Sequence, residues 1–92
     1  MIWTVYHAKD PNFGFGPQLK YPDDYQKVAE VECENLEEVF RVTNHIDRSW
    51  TENPEVKWHA EQVRSTSVGD IVVDEKNNIF SCENIGWVQI NL

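Results

Sequence analysis

No apolar run in this chain approaches the ~20 residues needed to cross a bilayer. The opening "MIWTVYHAKD" has neither the basic leader nor the apolar stretch of an export signal. Cations are scarce: eight Lys and Arg stand against sixteen Asp and Glu, a formal charge of −8. Binding duplex DNA by phosphate neutralisation needs clustered Lys and Arg, so that class is disfavoured. An acidic surface suits solubility or a basic partner instead. Cysteine is limited to Cys33 and Cys82, with no C-x-x-C; together with His7, His45 and His59 they give no zinc-ligand spacing. No metal and no cofactor is therefore expected, and lone thiols without an export signal fit a cytoplasmic protein. Phe13-Gly14-Phe15-Gly16 is not G-x-G-x-x-G and carries no nucleotide signal. His45, Asp47, His59, Ser65 and Ser67 are able to do acid–base or nucleophilic chemistry, but form no catalytic motif. No enzyme is expected and no catalytic residue is assigned.

What is present describes one small globular domain over residues 1–92. The chain is 40% hydrophobic and 12% aromatic, and a domain of this length buries about 60–65% of its unfolded surface. Residues 2–8, "IWTVYHA", read as a β-branched and aromatic strand. Residues 9–24, rich in Pro and Gly, form a long loop whose Phe13, Phe15 and Tyr21 either anchor it or make contacts. In "YQKVAEVECE" (25–34), Ala29, Val31 and Cys33 alternate with Glu30, Glu32 and Glu34, as in a half-buried strand with an acidic face. Asn35-x-x-Glu38 is a capping box, and Leu36, Val39, Phe40 and Thr43 recur at helical spacing. This predicts a helix over 36–45, stopped by Asn44 in a left-handed conformation. Residues 46–63 are ambiguous: Asn53-Pro54-Glu55 resembles a helix start, while Val56, Trp58 and Ala60 alternate, and mostly irregular structure is expected. The end reads as Ile71–Val73, a polar turn at 75–78, Ile79–Ile85, a break at Gly86 and Trp87–Ile90. The fold class is α+β: a mainly antiparallel sheet of about five strands with one principal helix on one face. A small SH3-like barrel for the C-terminal hairpin is the alternative.

The most conspicuous stretch is "VRSTSVGDIVV" (63–73). Glycine, hydroxyl residues and Arg64 are the ingredients of a phosphate-binding loop. The stretch leads into a strand, however, whereas nucleotide loops lead into a helix. A turn is the simpler reading: Gly69 supplies its backbone conformation, and Ser67 or Asp70 ties up its amides. Among the tryptophans, Trp3 belongs in the core, Trp50 and Trp58 are core anchors or exposed contacts, and Trp87 follows a flexible Gly86 that can bring its ring over 67–70.

"TNHID-SW" (43–50), "RSTSVGD" (64–70) and "GW" (86–87) together resemble a family of small uncharacterised proteins of phages, plasmids and bacterial genomes. The resemblance covers about 39–90 and implies a cytoplasmic accessory protein of a mobile element. It gathers Asn44, Trp50, Arg64, Ser65, Ser67, Gly69, Asp70 and Trp87 as one candidate binding surface. The expected function is non-enzymatic binding of a host or phage macromolecule, with a protein as partner. One alternative is a small-molecule, nucleotide or single-stranded RNA binding module built on Arg64–Asp70. Another is an acidic DNA mimic presenting Glu30, Glu32, Glu34, Glu37 and Glu38.

Overall fold

Strand β1 (Ile2–Ala8) lies inside a six-stranded antiparallel sheet, with β2 (Tyr25–Glu32) and then β3 (Val56–His59) on one side. On its other side follow β4 (Ile71–Val73), β5 (Ile79–Glu83) and β6 (Gly86–Ile90), giving the order β3-β2-β1-β4-β5-β6. Two three-stranded meanders thus start side by side and run outward. This computed structural model describes residues 1–9, 21, 23–44, 50–61, 63–83 and 86–90. Phe13, Phe15 and the rest of the 10–20 loop, like His45 and Asp47, lie outside the described residues.

The period-two pattern sets the layers. Trp3 and Val5 pair with Val31 and Ala29, and Val5 pairs with Val72, so all five side chains share one face of the sheet. Helix α1 (Leu36–Thr43) covers that face with Val39 and Val42, both fully buried. Burying each valine contributes about 1.5–3 kcal/mol. Glu30 and Glu32 point away from the helix, as the alternation predicts, and Lys27 pairs with Glu30. A bulge between Val5 and Tyr6 leaves Val28 as an extra residue in β2, so Val28 and Ala29 are both buried.

The Asn35 side chain accepts a hydrogen bond from the Glu38 amide at 2.9 Å, fixing the start of α1. The helix ends at Thr43, earlier than the spacing predicts. Asn44 is extended (φ −131°, ψ 93°) rather than left-handed, because its side-chain amide donates to the Thr66 carbonyl at 2.6 Å and pulls the chain out straight.

The segment predicted to be irregular supplies the sixth strand. Trp50–Glu52 form a short 3-10 turn, and β3 then pairs with β2. Asn53-Pro54-Glu55 is a turn, not a helix start. The Val56 amide donates to the Asn53 carbonyl, while buried Asn53 donates to the Val42 carbonyl, one of those that α1 leaves open at its end. The C-terminal strands continue the same sheet through the β1–β4 pairing and are not a separate barrel. Between β4 and β5, Asp74 accepts from the Lys76 and Asn78 amides, and Asn77 takes a left-handed φ of 66°. Among the described residues, no helix is long and apolar enough to cross a membrane.

Candidate binding site

The stretch 64–70 crosses from beneath α1 to the start of β4, and its two sides behave differently. On the inner side it closes on itself. Ser67 and Asp70 bracket a four-residue turn in which the Asp70 amide donates to the Ser67 carbonyl. Gly69, third in that turn, has φ 97°, a conformation that costs any residue with a Cβ. Gly69 and Asp70 together face Cys82: the Gly69 amide donates to its carbonyl and its amide donates to the Asp70 carbonyl, a bulge that ends the ladder.

Asp70 is fully buried and its carboxylate is saturated. Oδ1 accepts from the Ala8 amide at 2.9 Å and from Arg64 Nη2 at 2.7 Å. Oδ2 accepts from the Ser67 amide at 2.8 Å and from Arg64 Nη1 at 2.6 Å. Arg64 Nη1 also donates to the Ser65 carbonyl and to Ser67 Oγ. A bidentate guanidinium and two amides are what a buried carboxylate needs to remain buried. His7 completes the cluster, with Nε2 3.0 Å from Thr66 Oγ1 and 3.8 Å from Asp70 Oδ2. Burial holds the His7 imidazole far below its ordinary value, at about 4, despite the attraction of Asp70. It is therefore neutral at pH 7.

Most of the amides of the stretch have partners within the protein. The amides of Thr66, Ser67, Gly69 and Asp70 donate respectively to the Thr43 carbonyl, Asp70 Oδ2, the Cys82 carbonyl and the Ser67 carbonyl. Four of the five amides of 66–70 therefore point into the protein, and Arg64 is held on Asp70. No row of amides converges on an opening.

The outer side is open. α1, the 67–68 turn and the start of β6 enclose a groove of about 470 Å³, lined by Glu37, Phe40, Asn44, Ser67, Val68, Cys82, Glu83, Gly86 and Trp87. Phe40 and Trp87 form its aromatic wall, ring centroids 6.4 Å apart and edge to face. Beyond Trp87 the groove continues into a hollow of about 540 Å³ lined by Asn35, Leu36, Glu37, Gly86 and Trp87. Its charged lining residues are Glu37 and Glu83, both acidic.

Of the eight residues gathered from the sequence, Asn44, Ser67 and Trp87 line this groove. Trp50 does not: it is 2% exposed, its indole donating to the Arg64 carbonyl at 2.9 Å and its ring lying edge-on to His7. Asp70 is buried beneath the turn, and Arg64 and Gly69 shape that turn from inside. Ser65 is half-buried and hydrogen-bonds Arg64 through its carbonyl. Phe40 was not among the eight: it sits on the helical stripe with Leu36 and Val39 yet stays 36% exposed at the groove. Its signal is angular, since Val39 and Val42 define the buried direction and Phe40 lies about 100° round from Val39.

Both cysteines are free thiols buried in the fold. Burial pushes the thiols of Cys33 and Cys82 up to about 11, with nearby carboxylates adding to it, so both stay protonated and poorly nucleophilic at pH 7. Among the described residues, no group of three or more His, Cys, Asp or Glu is placed to hold a metal. The five glutamates considered for DNA mimicry divide between elements: Glu30 and Glu32 face away from α1, Glu34 is exposed in the bend that joins β2 to α1, Glu37 and Glu38 ride on the helix, and Arg41 lies 3.6 Å from Glu38. Comparison of the chain with protein-family models, curated proteins and solved structures finds no match.

Proposed function

We propose that this chain is a small acidic accessory protein of a phage or mobile element that works in the host cytoplasm without catalysis. It holds a protein partner in the groove between α1 and β6. One observation carries this reading: an aromatic-walled, acid-rimmed groove stays open while the conspicuous polar residues beside it are consumed by one another. Half-exposed Phe and Trp rings beside a hollow are the usual anchors of a protein contact. The −8 charge favours a basic partner surface. The resemblance to phage and plasmid proteins supports the setting.

The test is capture of a partner on the immobilised protein, followed by the same capture with variants. Phe40→Ala and Trp87→Ala are expected to lose the partner, while Trp58→Ala, 45% exposed on the distant β3, retains it. Equal retention by all three would defeat the reading. A small apolar ligand is the second reading, favoured by the groove's volume, which lies within the range of about 300–1,000 Å³ typical of small-molecule sites. Quenching of Trp87 fluorescence by a metabolite extract, in place of a retained protein, would favour it.

A further inference from the structure

The two edges of the sheet differ. β3 is a defended edge: it has four residues, carries Lys57, is flanked by Glu55 and Glu61, and its pairing with β2 shifts register at Glu30/Val31. Lys27 reaches over its Trp58 ring at 5.1 Å. Within its described residues, β6 carries neither a charge nor a register shift. Gly86-Trp87-Val88-Gln89-Ile90 contains no charge and no proline, pairs with β5 in unbroken register, and leaves Val88 43% exposed.

Among the described strands β6 pairs with β5 alone, and the register says which of its backbone groups point away from β5. Cys82 directs its amide and carbonyl toward the Gly69–Asp70 side, so in antiparallel alternation Ser81 and Glu83 direct theirs toward β6. Ser81 opposes Val88 and Glu83 opposes Gly86, and those two β6 residues therefore bond inward. Trp87 and Gln89 turn their N–H and C=O outward, away from the sheet. The Trp87 side chain rises on the α1 face, at the wall of the groove.

We infer that β6 accepts an extended peptide segment of the partner as a seventh strand, bonded to the backbone of Trp87 and Gln89. This rests on the groove reading above and specifies its partner. A residue opposite Trp87 on such a strand shares its face and enters the hollow beside Leu36, where an apolar side chain fits. Glu37 and Glu83 at the rim select a Lys or Arg nearby. A second copy of this chain is the weaker fit, because it brings another −8 and no cation on its own β6.

The probe is a display library of random linear peptides panned on the full chain, with sedimentation of the protein alone beside it. Enrichment of peptides that alternate apolar residues and carry Lys or Arg is expected. Gln89→Pro removes an outward N–H while leaving the β5 ladder intact, and weakens an enriched peptide by about tenfold or more. Gln89→Ala, which keeps that N–H, binds like the wild type. N-methylation of the peptide at alternate residues abolishes binding and at the intervening ones does not, a readout independent of how Gln89→Pro folds. Absence of enrichment overturns the inference, as does binding indifferent to both Gln89→Pro and N-methylation. So does a wild-type dimer that Gln89→Pro dissociates, since the edge then belongs to a second copy. Loss of the partner with Phe40→Ala but not with Gln89→Pro would leave the groove reading standing and remove only the added strand.

Discussion

The inner and outer sides of residues 64–70 teach opposite lessons about what a conspicuous sequence means. On the inner side, Arg64, Asp70, Thr66 and His7 are each other's partners. On the outer side, Ser67 and Val68 are one lip of a groove whose other walls come from α1 and β6. Residue types that advertise chemistry are doing structural work, and plain residues such as Phe40 form the open surface. If this contrast is right, inner-side variants change stability strongly, and outer-side variants change binding with little effect on stability.

The largest expected effect is that of Asp70→Ala. It strands the Ala8 and Ser67 amides and leaves the Arg64 guanidinium without its carboxylate, a loss of about 3–5 kcal/mol. The urea midpoint measures it. A loss below about 1 kcal/mol would break the contrast, because the cluster would then not be what holds the turn.

Next in size is a pH effect from His7. Its folded value of about 4 lies below the unfolded 6.5, so the unfolded chain binds the extra proton first as pH falls. The stability that goes with a neutral buried imidazole is complete above pH 6.5 and is lost progressively down to about pH 4, amounting to up to about 3 kcal/mol. Asp70, Arg64, Thr66 and the Trp50 ring all face His7, and the cost of burying a charged imidazole outweighs the attraction of Asp70. Urea titrations of the wild type and His7→Gln across that window check it. The variant's curve should be the flatter one, and parallel curves would place the acid sensitivity elsewhere.

Gly69→Ala follows, at about 1–2 kcal/mol, because φ 97° forces a Cβ toward the neighbouring carbonyl. Thermal unfolding would show it as a lowered midpoint with the same cooperativity. An unchanged midpoint would mean that the turn relaxes to another type without cost.

The ease of reading each part from sequence follows the same division. β2 is legible because its alternation of Ala29 and Val31 with Glu30 and Glu32 is a local signal, and so is the Asn35 cap, which needs only three residues of spacing. The role of Gly69 and Asp70 as turn-makers is local too. β3 is only half legible: Val56, Trp58 and Ala60 alternate, but Asn53-Pro54-Glu55 beside them imitates a helix start, and an edge strand with three of its four residues exposed is decided by its pairing with β2. The burial of Trp50 is likewise invisible, since it depends on β1 bringing His7 alongside. The groove is hardest of all: Phe40 and Trp87 meet only when α1 lies across the sheet and β6 closes its far side, contacts that no spacing along the chain encodes.

Phe40→Ala is no more costly to stability than Gly69→Ala and is the sharpest test of the comparison. The ring is 36% exposed and meets Trp87 edge to face, a pairing of about 0.5–1.5 kcal/mol. Truncation loses that pairing and part of the ring's burial, about 1–2 kcal/mol of stability, and leaves the Asp70 cluster untouched, which an unchanged His7-dependent pH profile would verify. Its effect on partner binding should be about tenfold or greater, since an aromatic anchor at a groove contributes 2 kcal/mol or so. A variant that unfolds early and binds normally would reverse the assignment, making Phe40 core and the groove an accident of packing. A variant that stays folded and stops binding places function on the side of the turn that the sequence did not advertise.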